Sequence, residues 1–239
     1  MIKKPINQND SYNLELLNSV GYDYEFNNNP INRLINKINT SKMSQENKTK
    51  NLEMLKQEIN SIENCKLKEN SNKIVFGDGS INSSLMVIGE APGKKEDLSG
   101  KTFVDEDGDL LIKMLLAINI KKENIYTTYV VNYRPPEDRK PNTDEIKRYS
   151  IFLQKHIAII NPKLIILMGS TAMQALTGLN SKISIERGKW KEVIVKNTNY
   201  NVIITFNPSY LLRVPKNKKH SWEDLKKIRK KIDELNLKI

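Results

Sequence analysis

The chain has a single cysteine, Cys65, among its 239 residues. That excludes an intramolecular disulfide and any site assembled from several cysteine ligands. No apolar run approaches the roughly 18 residues that a membrane span requires. The opening residues, MIKKPINQNDSYN, lack the apolar centre of a secretory signal. A cytoplasmic protein is therefore expected, without membrane association. No internal repeat is visible. Histidine is scarce, with two residues: His156 lies beside apolar neighbours and reads as structural, while His220 sits in a basic loop, either near phosphate or simply solvated. Acidic residues are outnumbered 28 to 39 by Lys and Arg, for a formal net charge of +11 and a pI near 9.5. Such an excess favours a polyanionic partner such as nucleic acid. A lysine- and asparagine-rich composition also explains it with no partner at all.

The length suffices for one well-buried domain plus an appendage. Residues 1–44 form an Asn-rich N-terminal extension with a turn-like NNNP at 27–30. We expect a small helix near 14–20 and partial disorder around it. Residues 45–239 form the main domain. Leu52, Leu55, Ile59 and Ile62 recur at helical spacing. Residues 65–84 read as loop, with 74–76 as a short edge segment. Strand and helix then alternate: strand 85–88, helix 109–118, strand 125–131, helix 143–160 capped by Thr143, strand 164–168, and a short helix to about 176. An edge strand at 193–195, a core strand at 202–206 and a basic amphipathic helix at 222–235 complete the chain. The fold class expected is α/β: a three-layer α/β/α sandwich around a four-stranded parallel sheet.

In a parallel sheet the carboxyl ends of the strands share one edge, where open α/β folds place ligands. Three stretches should meet there: residues 89–103, 129–139 and 207–222. The first, GEAPGKKEDLSGKTF, puts a carboxylate and a small-residue turn directly after a strand, and a lone aromatic, Phe103, in the loop beyond. A plain strand-to-helix turn accounts for the same residues. The third, NPSYLLRVPKNKKHSW, sets Leu211 and Leu212 beside Arg213, Lys216, Lys218 and Lys219. Apolar residues in a basic loop suit insertion into a base stack; both leucines could equally begin the packing of the last helix.

Several motifs, in order and at matching spacing, together resemble the family 4 uracil-DNA glycosylases. They are GEAPG at 89–93, ED at 96–97, Phe103-Val104, RPPEDRKP at 134–141, MGSTA at 168–172, RGKW at 187–190 and PSYLLR at 208–213. The resemblance covers roughly residues 60–235. It implies a monomer that flips a uracil, or a related deaminated base, out of DNA and hydrolyses its N-glycosidic bond. It places Glu90 at the family's acidic position, Phe103 at its stacking position, and Gly89, Ala91, Pro92 and Gly93 along the base pocket. Leu211, Leu212 and Arg213 match the loop that fills the gap left by the base, with Ser209 just before them.

The departures from the family pattern are as informative. Tyr129 stands where an Asn would read uracil, and a phenol cannot offer that donor–acceptor pair. Asn132 is a poor substitute, because residues 129 and 132 face opposite sides of a strand. Asn207 replaces the His of the HPS motif; its NH₂ can still donate to the leaving base. Thr102 replaces Pro, and Asp105 replaces Gly, adding negative charge near DNA. The family's [4Fe–4S] cluster uses four cysteines, and the matching positions here are Cys65, Lys68, Tyr133 and Tyr149. The expectation from sequence is no metal and no cofactor. These departures motivate an alternative: a DNA-binding protein that keeps the fold and the intercalating loop but is catalytically weakened or inactive.

Overall fold

The computed structural model describes residues 45–239; the expected extension at 1–44 lies outside the described residues. In chain order the elements are α1 (Gln45–Asn60), α2 (Lys66–Glu69), β1 (Asp78–Gly79), β2 (Leu85–Gly89), α3 (Lys94–Ser99), α4 (Glu106–Leu116), β3 (Ile125–Tyr129) and α5 (Thr143–Ile160). There follow β4 (Leu164–Met168), α6 (Ser170–Thr177), α7 (Ile183–Glu186), β5 (Trp190–Val195), β6 (Thr198–Thr205), α8 (Pro208–Arg213) and α9 (Lys218–Glu234).

The sheet has six strands in the order β1-β3-β2-β4-β6-β5. Its four central strands are parallel, as the alternating pattern implied. Antiparallel edges, β1 on β3 and β5 on β6, extend it on both sides. The β2, β3 and β4 strands are buried along their whole length, which is why β2 and β4 read as continuous apolar runs, while the buried Thr127 and Thr128 of β3 donate to the carbonyls of Asp78 and Phe76. Successive side chains nonetheless go to opposite faces. Met86 and Ile88 join the layer built with α1, α5 and α6. Leu85 and Val87 join the other layer, with α4 and α9.

Local chemistry adjusts several expected boundaries. The α5 helix spans the expected residues, but its cap is Asn142: the side chain accepts from Glu145 N at 2.9 Å while Glu145 accepts from Asn142 N at 2.8 Å. This reciprocal box satisfies two orphan amides, so Thr143 becomes the first helical residue instead. The α4 helix begins at Glu106, earlier than its apolar periodicity suggests, because Asp105 caps it. Residues 74–76 are not a strand; the edge bridge is Asp78–Gly79.

The register brings Gly89 opposite Tyr129 and Met168 opposite Thr205. The carboxyl ends of β2, β3, β4 and β6 therefore lie along one edge, and the loops leaving them stand side by side.

Candidate functional site

A cleft of about 850 Å³ opens at that edge. All three expected stretches line it, through Glu90 to Gly93, Phe103, Tyr129, Asn207, Ser209, Leu212 and Arg213. Lys94 to Glu96, Asp105 and Pro135 with Asp138 to Lys140, from the same stretches and motifs, line it too, and sequence reading missed only Glu106 and Asp107 in the first turn of α4.

Glu90 leaves the end of β2 and is held by the hydroxyl of Thr171, in the first turn of α6, which donates to Glu90 Oε2. Asn207 follows β6 and caps α8. Its Oδ1 accepts from Ser209 N at 3.0 Å and Ser209 Oγ at 3.1 Å. With the oxygen engaged in the cap, the NH₂ group is the part left for a ligand.

The ED pair has a different task from catalysis. Glu96 is buried, and its Oε1 accepts from Val104 N at 2.9 Å and Asp105 N at 3.3 Å, while Oε2 accepts from Gly93 N at 3.1 Å. One carboxylate thus ties the GEAPG turn to the Phe103 loop. Asp97, fully buried, does likewise for Asn72 and Lys73, accepting from Asn72 N at 2.8 Å, Asn72 Nδ2 at 2.6 Å and Lys73 N at 3.2 Å. The loop so held is tight. Phe103 has φ +50°, and a Cβ on Gly108 would fall 2.1 Å from the Phe103 carbonyl oxygen. Glycine is needed at 108 because helix α4 passes directly under that carbonyl.

Tyr129 lies on the floor of the cleft against Phe103, with ring centroids 4.8 Å apart and tilted by 39°. Its hydroxyl oxygen accepts from Phe103 N at 2.9 Å. Burial holds its phenol well above the ordinary value, so it stays protonated. Both rings rest on Gly89, where a Cβ would meet Tyr129 at 2.7 Å and Phe103 at 2.8 Å. Asn132 points away, donating to the carbonyls of Val75 and Phe76. Asp107 is partly buried, and desolvation with the nearby Glu96 charge raises its carboxyl above the usual range.

Other expected residues separate. Leu211 is 0% exposed and Leu212 37% exposed. The expectation of a two-leucine wedge is corrected: consecutive residues of a helix point about 100° apart, so Leu211 is interior to α8 packing while Leu212 faces the cleft. Lys216, in the turn before α9, and Lys218 and Lys219, in its first turn, are exposed and do not line the cleft. Asp105 is not a free negative charge, because Lys95 Nζ pairs with it at 2.6 Å.

Behind the Asn207 loop, buried Asp224 accepts from Thr205 Oγ1 at 2.9 Å and from Arg187 Nε at 3.0 Å. Arg187 also donates to the His220 carbonyl and stacks over Phe206 at 5.7 Å. Arg187 of the RGKW motif and Asp224 therefore brace Thr205 and Phe206, the residues just before Asn207. His156 is buried, stacked on Phe76 at 4.4 Å, and hydrogen-bonded to Tyr126 at 2.9 Å.

The profile of the Uracil DNA glycosylase superfamily matches residues 76–226. The Type-4 uracil-DNA glycosylase of Sulfurisphaera tokodaii is 37% identical over 186 residues, covering 74% of this chain and 83% of that protein. The corresponding protein of Thermotoga maritima is 34% identical, covering 68% and 83%. That of Archaeoglobus fulgidus is 33% identical, covering 74% and 91%.

These relatives correct the expectation that no cofactor accompanies the fold, since theirs is a family that binds a [4Fe–4S] cluster. The residues at the corresponding positions here do not fit that group. Cys65 is buried with its Sγ 3.4 Å from the Tyr149 hydroxyl, and the Tyr133 hydroxyl donates to Asn60 at 2.6 Å. Burial pushes the Tyr133 phenol up to about 12, unlike a thiolate that binds iron at neutral pH. Among the described residues no group of three or more His, Cys, Asp or Glu converges for a metal. By fold, motif order and relatives, the chain belongs to the type-4 uracil-DNA glycosylases of the uracil-DNA glycosylase superfamily.

Proposed function

We propose that the protein acts in DNA repair as a uracil-DNA glycosylase, hydrolysing the N-glycosidic bond of a flipped uracil, or a related deaminated base, and leaving an abasic site. The observation that carries this reading is the convergence of Glu90, Asn207 and the exposed Leu212 on one cleft at the strand ends. In the reaction the C1′–N1 bond breaks, water supplies the oxygen of the new C1′–O bond, and the base departs as an anion that is then protonated. Glu90, fixed by Thr171, provides negative charge beside the developing sugar cation and an acceptor for the water proton. The Asn207 NH₂ donates to the departing anion. Leu212 fills the gap in the stack, with Arg213 beside it for a phosphate. The +11 net charge fits DNA as the partner. The same reading has residues 45–239 working as one catalytic domain, as a monomer in the cytoplasm, with 1–44 as an extension.

The test is release of free base from a uracil-containing oligonucleotide, single- and double-stranded, by purified protein. Removing one group that stabilises the departing charge costs on the order of a hundredfold in rate, so Asn207→Ala and Glu90→Gln should each slow release by about that much. No release from uracil, hypoxanthine or xanthine substrates at protein excess would defeat the reading.

A second reading, DNA binding without turnover, is favoured by one observation: Tyr129 lies against Phe103 where a base would stack. Base release seen only after Tyr129→Asn together with Asn207→His would establish it.

A further inference from the structure

Phe103 and Tyr129 are the two aromatic residues among the described residues that line the cleft, and they face each other. Phe103 is 5% exposed and Tyr129 4%. Neither ring offers an open face. An extruded nucleobase is normally held by stacking on such a face and by hydrogen bonds at its polar edge. Here the phenol supplies both from within the chain: its ring covers Phe103, and its oxygen takes the Phe103 N–H at 2.9 Å. It cannot recede toward the strand, because its ring already passes within 2.7 Å of where a Cβ on Gly89 would sit. Turning it outward would strip the Phe103 amide of its acceptor.

We infer that Tyr129 is a built-in occupant of the base seat, so that the ligand this cleft holds best is DNA carrying an abasic sugar rather than an extruded base. The rest of the cleft suits that ligand. Its open walls are polar, from Glu90, Asp107 and Asn207, and the Asn207 NH₂ can donate to the ring oxygen of a baseless deoxyribose, which needs no stacking face. Leu212 stands at the rim to fill the gap already present in the stack. Arg213 flanks it for a phosphate, while Arg139 on the opposite side is held by Glu145. The inference rests on the DNA-binding part of the proposal above, which both readings share, and not on turnover.

The experiment is fluorescence anisotropy with the full-length protein on three duplexes: one with a tetrahydrofuran abasic analogue, one with hydrolysis-resistant 2′-fluoro-2′-deoxyuridine, and one undamaged. The wild type should bind the tetrahydrofuran duplex at least tenfold more tightly than the fluorodeoxyuridine duplex, with the latter close to undamaged DNA. Tyr129→Asn and Tyr129→Ala should bring that ratio to within about twofold, chiefly by tightening the fluorodeoxyuridine duplex. Tyr129→Phe keeps the ring and should keep most of the preference. Equal affinity of the wild type for the first two duplexes overturns the inference, whether or not the variants fold. An unchanged ratio in a folded Tyr129→Asn protein overturns it as well. Base release run in parallel separates the two proposals. Abasic preference without release removes the glycosylase reading and leaves this one; rapid release with equal affinities does the opposite.

Discussion

The two leucines of PSYLLR should behave as opposites, and their difference can be measured. Leu211 is fully buried where α8 packs on α4. Truncating a buried leucine to alanine loses its transfer free energy and leaves a cavity, at about 2–5 kcal/mol. A helix of six residues anchored on one flank has some freedom to settle, so we expect Leu211→Ala to cost about 2–3 kcal/mol. Leu212 is more than a third exposed. Its truncation should cost no more than about 0.5 kcal/mol of stability. In DNA the order reverses. Leu212→Ala removes the wedge and should weaken binding to abasic duplex about tenfold, near 1.4 kcal/mol. Leu211→Ala, measured well below its unfolding midpoint, should bind within about twofold of wild type. Urea titrations give the first pair of numbers and anisotropy the second. Equal stability losses for the two variants, or a larger DNA defect for Leu211→Ala, would refute the assignment of one leucine to the core and one to the ligand.

Glu96→Gln leaves one oxygen to serve three main-chain donors. Losing charge-assisted bonds in a buried setting should destabilise by about 2–4 kcal/mol and slow base release with no change in net DNA affinity; a urea midpoint equal to wild type contradicts the tie between the two loops. Gly108→Ala puts a methyl 2.1 Å from the Phe103 carbonyl, so the Phe103 loop must shift. The expected readout is a changed near-ultraviolet circular dichroism signal with the far-ultraviolet spectrum retained. Burial lowers His156 to about 3, against about 6.5 in the unfolded chain. Between those values the unfolded chain binds a proton that the folded chain refuses. The contribution is therefore fully present above about pH 6.5 and declines as pH falls through that window, by up to about 1.4 kcal/mol per unit. His156→Leu should flatten the wild-type pH dependence of stability by that difference over pH 6.5–4; parallel curves would show that His156 is already charged in the fold.

The parts of this protein that were legible in the sequence depend on local repetition. Continuous apolar runs at 85–88 and 164–168 could only be buried strands, and the spacing of Leu110, Leu111, Met114 and Leu115 needed one helical face. From these the parallel sheet followed, and with it the edge where the loops had to meet. Asn142 as a cap was missed because a competing Thr stood one position later, and only the partner Glu145 distinguishes them.

What the sequence determined is the set of groups and the edge that carries them: a carboxylate at 90, an amide at 207, an aromatic at 103 and a basic, leucine-bearing loop. Tertiary structure decided which of them reach the cleft. The helical turn of α8 sent Leu211 inward and Leu212 outward, and Glu96 became a tie because three main-chain amides surround it. Tyr129 came to rest on Phe103 because Gly89 left room beneath both rings. Such outcomes depend on contacts between residues far apart in the chain, where packing density and unpaired amides set the cost, and no periodicity records them.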